Sequence, residues 1–309
     1  MSELQSPEIF RIILDSLQTG IYVVDRDRKI VFWNDGAERI TGYHRHDVVG
    51  RLSRETIFFH CNDEGCMLCG AVCPFAQTIN DGKRREVRIQ LRHKQGHRVP
   101  VMLRIVPIRD QHGSMSGAAL SFDEQKFTQA RDRHQHHLAA YGCLDEITGI
   151  PNHSFTQFHL RENLASFVEY HLPFSILCIQ VDSLDDFRAK YGPHASDAIL
   201  RVVAETMTGS LRPADFLGRW SADQFLAILE DCSLAGVEIT GKRMRKIVTF
   251  AGLKWWGDEL SVTVSIGHAT AQSGDTIDLL IERASHSLEQ HSAQKVAERK
   301  KTLSSISKD

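Results

Sequence analysis

The sequence predicts two domains, an α+β unit followed by an α/β unit, joined by one helix. Three observations predict it. The chain has 309 residues, about two domains' worth at roughly 150 residues each. In the front half, short alternating strands are separated by glycine-bearing polar turns, the pattern of antiparallel sheet. In the back half, apolar runs of strand length alternate with longer stretches of helical spacing.

The elements follow in order. Residues 5–18 (QSPEIFRIILDSLQ) place Ile9, Phe10, Ile13, Leu14 and Leu17 on one helical face. Gly20–Val24 and Ile30–Trp33 read as strands across the turn Asp25–Lys29, with a short helix at Ala37–Tyr43 and another over 75–82. Strands at 85–92, 98–107 and 115–122 are separated by HKQGH and DQHGS, so they form an antiparallel meander. Residues 123–142 are polar and free of proline, and Phe127, Ala130, His134, Leu138 and Tyr141 mark one face of a linker helix. Its histidines, His134, His136 and His137, read as a solvated face. Beyond it, Phe174–Val181 is a buried-strand run, and Ser196–Ser210 has helical spacing. Phe216–Trp220 and Phe225–Leu229 form a hairpin across Ser221–Gln224. A helix at 234–249, a strand at 260–268 and a helix at 276–290 complete the α/β unit. The expected boundaries are 1–124, 125–142 for the linker, 143–292, and a basic tail over 293–309.

Composition narrows the function. Hydrophobic residues make up 42% and charged residues 25%, which excludes a disordered or fibrous chain. Lys and Arg number 37 against 39 Asp and Glu, a net charge of −2. That balance gives no electrostatic reason to expect nucleic-acid or membrane binding. Phe174–Val181, the longest strongly apolar run, is far short of the roughly 18 residues of a membrane span. The start MSELQSPEIF has no apolar signal-peptide core, so the expected location is cytoplasmic. Seven cysteines in such a chain are not expected to build a disulfide scaffold.

Gly20-Ile21-Tyr22-Val23-Val24-Asp25, Ile30-Val31-Phe32-Trp33-Asn34, Ala37-Glu38-Arg39-Ile40-Thr41-Gly42-Tyr43 and Gly117-Ala118-Ala119-Leu120-Ser121-Phe122 together resemble a PAS sensor domain over residues 5–124. The resemblance implies a cup that binds a small ligand, haem or flavin, or a unit that only dimerises. The ligand is left open. Within this domain Cys61, Cys66, Cys69 and Cys73 fall in thirteen residues. Thiolates so close together suit Zn²⁺ or an iron–sulfur centre. They equally suit a redox switch by thiol exchange, or they are ordinary reduced cysteines lining a loop. Haem, with His60 and the other histidines as candidate ligands, is a further alternative.

Asp145-Glu146-Ile147-Thr148-Gly149-Ile150-Pro151-Asn152, the hairpin Arg219-Trp220-Ser221-Ala222-Asp223-Gln224-Phe225 and Thr263-Val264-Ser265-Ile266-Gly267 resemble the GGDEF family over about 143–292. The resemblance implies an α/β palm related to nucleotide cyclases, in which active members join two GTP into cyclic di-GMP. Carboxylates hold Mg²⁺ against the triphosphate in that chemistry. Carried over residue by residue, the first metal aspartate falls on Gln180, with Asp182 two positions on. Asp223 is kept, but the next glutamate is Gln224, and both hairpin glycines are replaced, by Ser221 and Ala222. The guanine-contacting pair falls on Arg188 and Asp197. In the last helix the phosphate-binding lysine falls on Ser292 and the final basic position on Val296. Arg212-Pro213-Ala214-Asp215 keeps the R-x-x-D of the family's inhibitory site, where the resemblance implies that arginine grips phosphate or guanine and aspartate accepts from the guanine edge; Asp215 alternatively shapes the turn. The expectation is a signalling protein in which the sensor, paired as a homodimer through the PAS domain and linker helix, controls a degenerate GGDEF module. That module is expected to bind cyclic di-GMP or GTP, or to dock a protein partner. The alternative is an active diguanylate cyclase using Asp223 with Asp182 and Mg²⁺.

Overall fold

The computed structural model describes residues 6–53, 62, 68, 73–124, 138 and 141–290. The chain divides into two compact units, Met1–Thr128 and Gln129–Asp309. Among the described residues no helix is long and apolar enough to cross a membrane.

In the first unit, helix α1 (Pro7–Ser16) starts at Ser6, whose hydroxyl accepts from the Ile9 N–H, and Pro7 occupies its first turn. Strands β1 (Gly20–Asp25) and β2 (Ile30–Trp33) pair antiparallel with Tyr22 opposite Trp33. Asn34 then ties three elements together. Its Oδ1 accepts from the backbone N–H of Ile21 (2.7 Å) and of Ala37 (2.9 Å), capping α2 (Asp35–Thr41). Its Nδ2 donates to the carbonyls of Leu14 (2.7 Å) and Thr19 (3.0 Å). The Asn34 side chain is fully buried. Helices α3 (Arg45–Val48) and α4 (Pro74–Asp81) follow, then β3 (Arg85–Arg92), β4 (Arg98–Arg109) and β5 (Met115–Glu124). The five strands lie in the order β2-β1-β5-β4-β3, all neighbours antiparallel. The meander expected for the last three is present, and β1 closes against β5 so that the two ends of the unit meet. Tyr22, Trp33 and Phe122 pack with ring centroids 5.5 to 6.3 Å apart. Gly20 makes room for them, since a Cβ there would stand 2.4 Å from the Phe122 ring.

The second unit opens on a tight turn. Asp145 accepts from both the backbone N–H (2.9 Å) and the hydroxyl (2.6 Å) of Thr148. Asn152 caps α5 (His153–Tyr170). Then come β6 (Phe174–Val181), α6 (Leu184–Tyr191), α7 (Pro193–Ser210), β7 (Phe216–Arg219), β8 (Gln224–Glu230) and α8 (Leu234–Thr249). Strands β9 (Gly252–Trp255) and β10 (Asp258–Ser261) make a separate hairpin, followed by β11 (Val264–Thr270) and α9 over 277–290. The main sheet runs β11-β6-β8-β7, antiparallel throughout. Gly267 lets α9 lie directly on β11, because a Cβ there would come within 2.2 Å of the helix backbone at Ala284 and Leu288.

Three expectations need correction. The strand expected over 260–268 is two strands: Leu260 belongs to the β9–β10 hairpin, and pairing with the main sheet begins only at Val264. Apolar alternation runs through the change of partner, so periodicity alone cannot register it. The linker helix does not begin at Asp123, because Asp123 and Glu124 pair with Met102 and Val101 in β5. Leu138 is helical and buried, and Tyr141–Gly142 form a turn; the rest of the expected helix lies outside the described residues. Helix α7 starts at Pro193 rather than Ser196, since proline suits the first helical turn, where no N–H bond is lost.

Removing the Asn34 side chain leaves two backbone N–H groups and two carbonyls without it. Asn34→Ala is expected to lower stability by about 3 kcal/mol, read as a shifted midpoint in urea unfolding followed by near-ultraviolet circular dichroism.

Candidate functional site

The candidate site lies at one end of the second unit's sheet, where β6 ends between β8 and β11. Gln180 stands opposite Gln224 on one side and Ser265 on the other. Its Nε2 donates to Asp223 Oδ2 at 2.9 Å. The other Asp223 oxygen accepts from the Ser221 hydroxyl at 3.2 Å. The Val181 N–H donates to the Asp223 carbonyl at 2.9 Å, so backbone and side chain hold the same two strands together.

Asp182 lies two residues beyond Gln180. The strand stops at Val181, yet the Asp182 carboxylate still reaches Ser265 in β11. Its Oδ1 accepts from the Ser265 hydroxyl at 2.7 Å, and Ser265 is the cross-strand neighbour of Gln180. Its Oδ2 accepts from the Thr263 hydroxyl. Two carboxylates, Asp182 and Asp223, therefore flank an amide, each already receiving hydrogen bonds from neutral donors. Among the described residues no group of three or more His, Cys, Asp or Glu is arranged to hold a metal ion.

The hairpin is braced from below by Arg219. Its Nη2 donates to the Ala222 carbonyl, and its guanidinium lies 4.9 Å from the Phe225 ring centre. Burial pulls its pKa below the usual arginine value, while Asp145, Asp223 and Asp197 act in the opposite sense. Its Nη1 is buried and makes no hydrogen bond among the described residues. Arg188 also acts on this guanidinium, in the same sense as burial. Arg188 is exposed on α6, 3.9 Å from Asp185, while Asp197 is half-buried on α7. The structure thus gathers Asp145, Arg188, Asp197, Asp223 and Arg219 into one charged neighbourhood. Arg219, Thr263 and Ser265 entered the sequence reading only as motif letters. Their bracing roles depend on which strands lie side by side, and spacing along the chain does not carry that.

Arg212 and Asp215 form a closed turn ahead of β7. The Arg212 N–H donates to Asp215 Oδ2 (2.9 Å), and the Asp215 N–H returns to the Arg212 carbonyl (3.1 Å). The Arg212 side chain is exposed. Arg243 from α8 joins this corner, donating to the Ser210 carbonyl at 2.8 Å. Nearby, burial raises the pKa of the Glu230 carboxyl and of the Cys232 thiol, and the Asp215 charge adds to both.

Of the four clustered cysteines only Cys73 is described. It is buried in the core of the first unit at the start of α4. Burial raises the Tyr22 hydroxyl well above its usual pKa, and the nearby Cys73 adds to the effect. Cys61, Cys66, Cys69 and His60 lie outside the described residues, as do Ser292 and Val296. Cys178 is packed inside the second unit, where burial pushes its thiol up to about 12 and leaves it inert.

Known proteins bear on this geometry. A family model described as "Diguanylate cyclase, GGDEF domain" matches residues 143–298. The chain belongs to the GGDEF family. A PAS domain model matches residues 18–124 ahead of it, so this is a PAS–GGDEF signalling protein related to diguanylate cyclases. Among curated proteins it is similar to the probable diguanylate cyclase DgcE of Escherichia coli, 26% identical over 263 residues, covering 85% of this chain and 23% of that protein. It is also similar to diguanylate cyclase DgcP of Pseudomonas aeruginosa, 25% identical over 200 residues, covering 64% of this chain and 28% of that protein. The chain therefore spans about a quarter of the length of these GGDEF relatives. Among solved structures, the GGDEF domain of DgcB from Caulobacter crescentus in complex with c-di-GMP is 22% identical, with a TM-score of 0.48. It covers 50% of this chain and 89% of that one.

Proposed function

We propose that the GGDEF unit does not synthesise cyclic di-GMP and instead works as a nucleotide-responsive module under the PAS sensor. The observation that carries this reading is the Gln180–Asp223 hydrogen bond. An amide N–H there supplies, without a cation, a positive partner for the one carboxylate kept in the hairpin. Mg²⁺ needs near-octahedral oxygen ligands at about 2.0–2.1 Å, and these residues offer one amide and two carboxylates already hydrogen-bonded to other groups. They do not fit the metal set of an active cyclase, so no metal-dependent step is derived. Ser221 and Ala222 further narrow the hairpin where glycines would admit a nucleotide. The rival reading, an active cyclase, rests on Asp182 and Asp223 alone. Incubation of the purified chain with GTP and Mg²⁺ or Mn²⁺, followed by product chromatography, is expected to yield no cyclic di-GMP. Turnover that disappears in Asp223→Ala would establish the rival.

Ligand recognition belongs in this reading to the Arg212–Asp215 turn. The exposed Arg212 fork is suited to phosphate or a guanine edge, whereas the Asp215 carboxylate already closes its own turn. Calorimetry is expected to detect cyclic di-GMP binding, and Arg212→Ala is expected to weaken it about a hundredfold, roughly 2.7 kcal/mol. Wild-type protein that gives no heat with cyclic di-GMP, but binds GTP or a protein partner, moves the response away from this turn.

A homodimer through the first unit is in keeping with α1, whose Phe10, Ile12 and Ile13 are all exposed. The segment of Cys61, Cys66, Cys69 and Cys73 is proposed as a Zn²⁺, iron–sulfur or thiol-exchange site, with the PAS ligand itself unassigned. Elemental analysis of isolated protein is expected to find Zn or iron, or thiol titration to change with oxidant. Metal-free protein with four invariant thiols would remove that proposal.

A further inference from the structure

A polar cleft of about 160 Å³ opens between α8 and β11, lined by none of the residues assigned above. Glu238, Gly241, Lys242 and Arg245 line it from the helix, and Ile266 and His268 from the strand. The helical positions are spaced by three and four, so they share one face. Ile266 and His268 are two apart on β11 and share the sheet face that α8 covers.

Two features set this cleft apart from an ordinary solvated surface. The first is Gly241, a buried glycine in the interior of α8. A Cβ there would meet Ile266 at 3.4 Å and Leu177 at 3.5 Å, ordinary van der Waals contact. Glycine weakens a helix relative to alanine, and packing does not demand it here. What the bare position provides is the floor of the cleft. The second feature is the charge arrangement. Glu238 lies 3.7 Å from Lys242 and 3.9 Å from His268, two loose contacts of a half-exposed carboxylate. Arg245, half-buried on the same face, makes no ion pair among the described residues. Two permanent cations and a histidine thus converge on a space held by a single, weakly engaged carboxylate.

We propose that this cleft binds a phosphoryl dianion, either free phosphate or the phosphate of a small monoester. Lys242 and Arg245 supply the charge, the Arg245 fork engages two oxygens at once, and His268 donates a third hydrogen bond. Glu238 occupies the place of the anion until it is displaced. The volume admits a phosphoryl group but is too small for a nucleotide, whose sites run to about 300 Å³ and more. This separates the cleft from the cyclic di-GMP reading above.

Calorimetry on the full chain tests it, in an Arg212→Ala background so that the other turn contributes nothing. Inorganic phosphate and glycerol 3-phosphate are titrated separately. Binding is expected with at least one of them at or below millimolar dissociation constant. The stronger of the two identifies the source. Lys242→Ala with Arg245→Ala is expected to weaken binding at least about tenfold. Gly241→Ala is expected to weaken it while the melting temperature holds or rises, and Glu238→Gln to tighten it. No heat with either compound at about 10 mM, or binding unchanged by the double substitution and by Glu238→Gln, overturns the proposal.

Discussion

Strand β6 pairs on both sides, with β8 and with β11, and the second unit's chemistry depends on that fact. A residue at its end faces two neighbours at once and cannot be altered in isolation. At position 180 the neighbours are Gln224 and Ser265, and the nearest acid is Asp223. With an aspartate at 180, two carboxylates would confront each other and require a cation between them. With glutamine, the amide donates to Asp223 and the strands close without one. The same logic extends to Asp182, whose charge is met by the hydroxyls of Ser265 in β11 and of Thr263 just before it. At this end of the sheet both carboxylates accept hydrogen bonds from amide and hydroxyl donors.

The first unit is organised by an analogous junction. Asn34 receives and donates between α1, β1 and α2, and its side chain is wholly enclosed. A side chain with two donors and two acceptor lone pairs is well matched to a point where three chain segments end near one another. The aromatic group of Tyr22, Trp33 and Phe122 then fills the cup from the sheet side. Cys73 enters this same core from the opposite wall, beside the Tyr22 hydroxyl. Chemistry at that thiol is therefore coupled to the packing of the sensor and would not remain confined to a surface loop.

Much of the fold was legible in the sequence because period and punctuation agreed. Residues Phe174–Val181 and 234–249 are a strand and a helix with the expected limits, since each is bounded by turn or cap residues and follows one period throughout. Helix α5 was missed because its apolar residues form no clean stripe; only Thr156 and Leu160 of its eighteen residues are buried. The β9–β10 hairpin was missed because its turn is Trp256-Gly257, with φ of 50° and 96°. Such turns are usually signalled by Asn-Gly or Asp-Gly, and a tryptophan at the first position masks them. At the site, motif letters singled out Gln180, Asp223, Arg212 and Asp215. What they did not carry was the bonding: that Gln180 reaches Asp223, that Ser265 reaches Asp182, and that Asp215 spends its carboxylate on the backbone of its own turn.

The charge balance around Arg219 brings these substitutions into one account. A buried guanidinium is costly unless carboxylates surround it, and here Asp145, Asp197 and Asp223 do so. In a site that also holds divalent cations, those carboxylates must serve the metals and the arginine together. Glutamines at 180 and 224 carry no charge, and Arg188 adds a second guanidinium to the neighbourhood. The charges acting on Arg219 are then three carboxylates, Asp145, Asp197 and Asp223, and the opposing guanidinium of Arg188. The amides and the second arginine shift the charge of this neighbourhood in the same direction, towards positive.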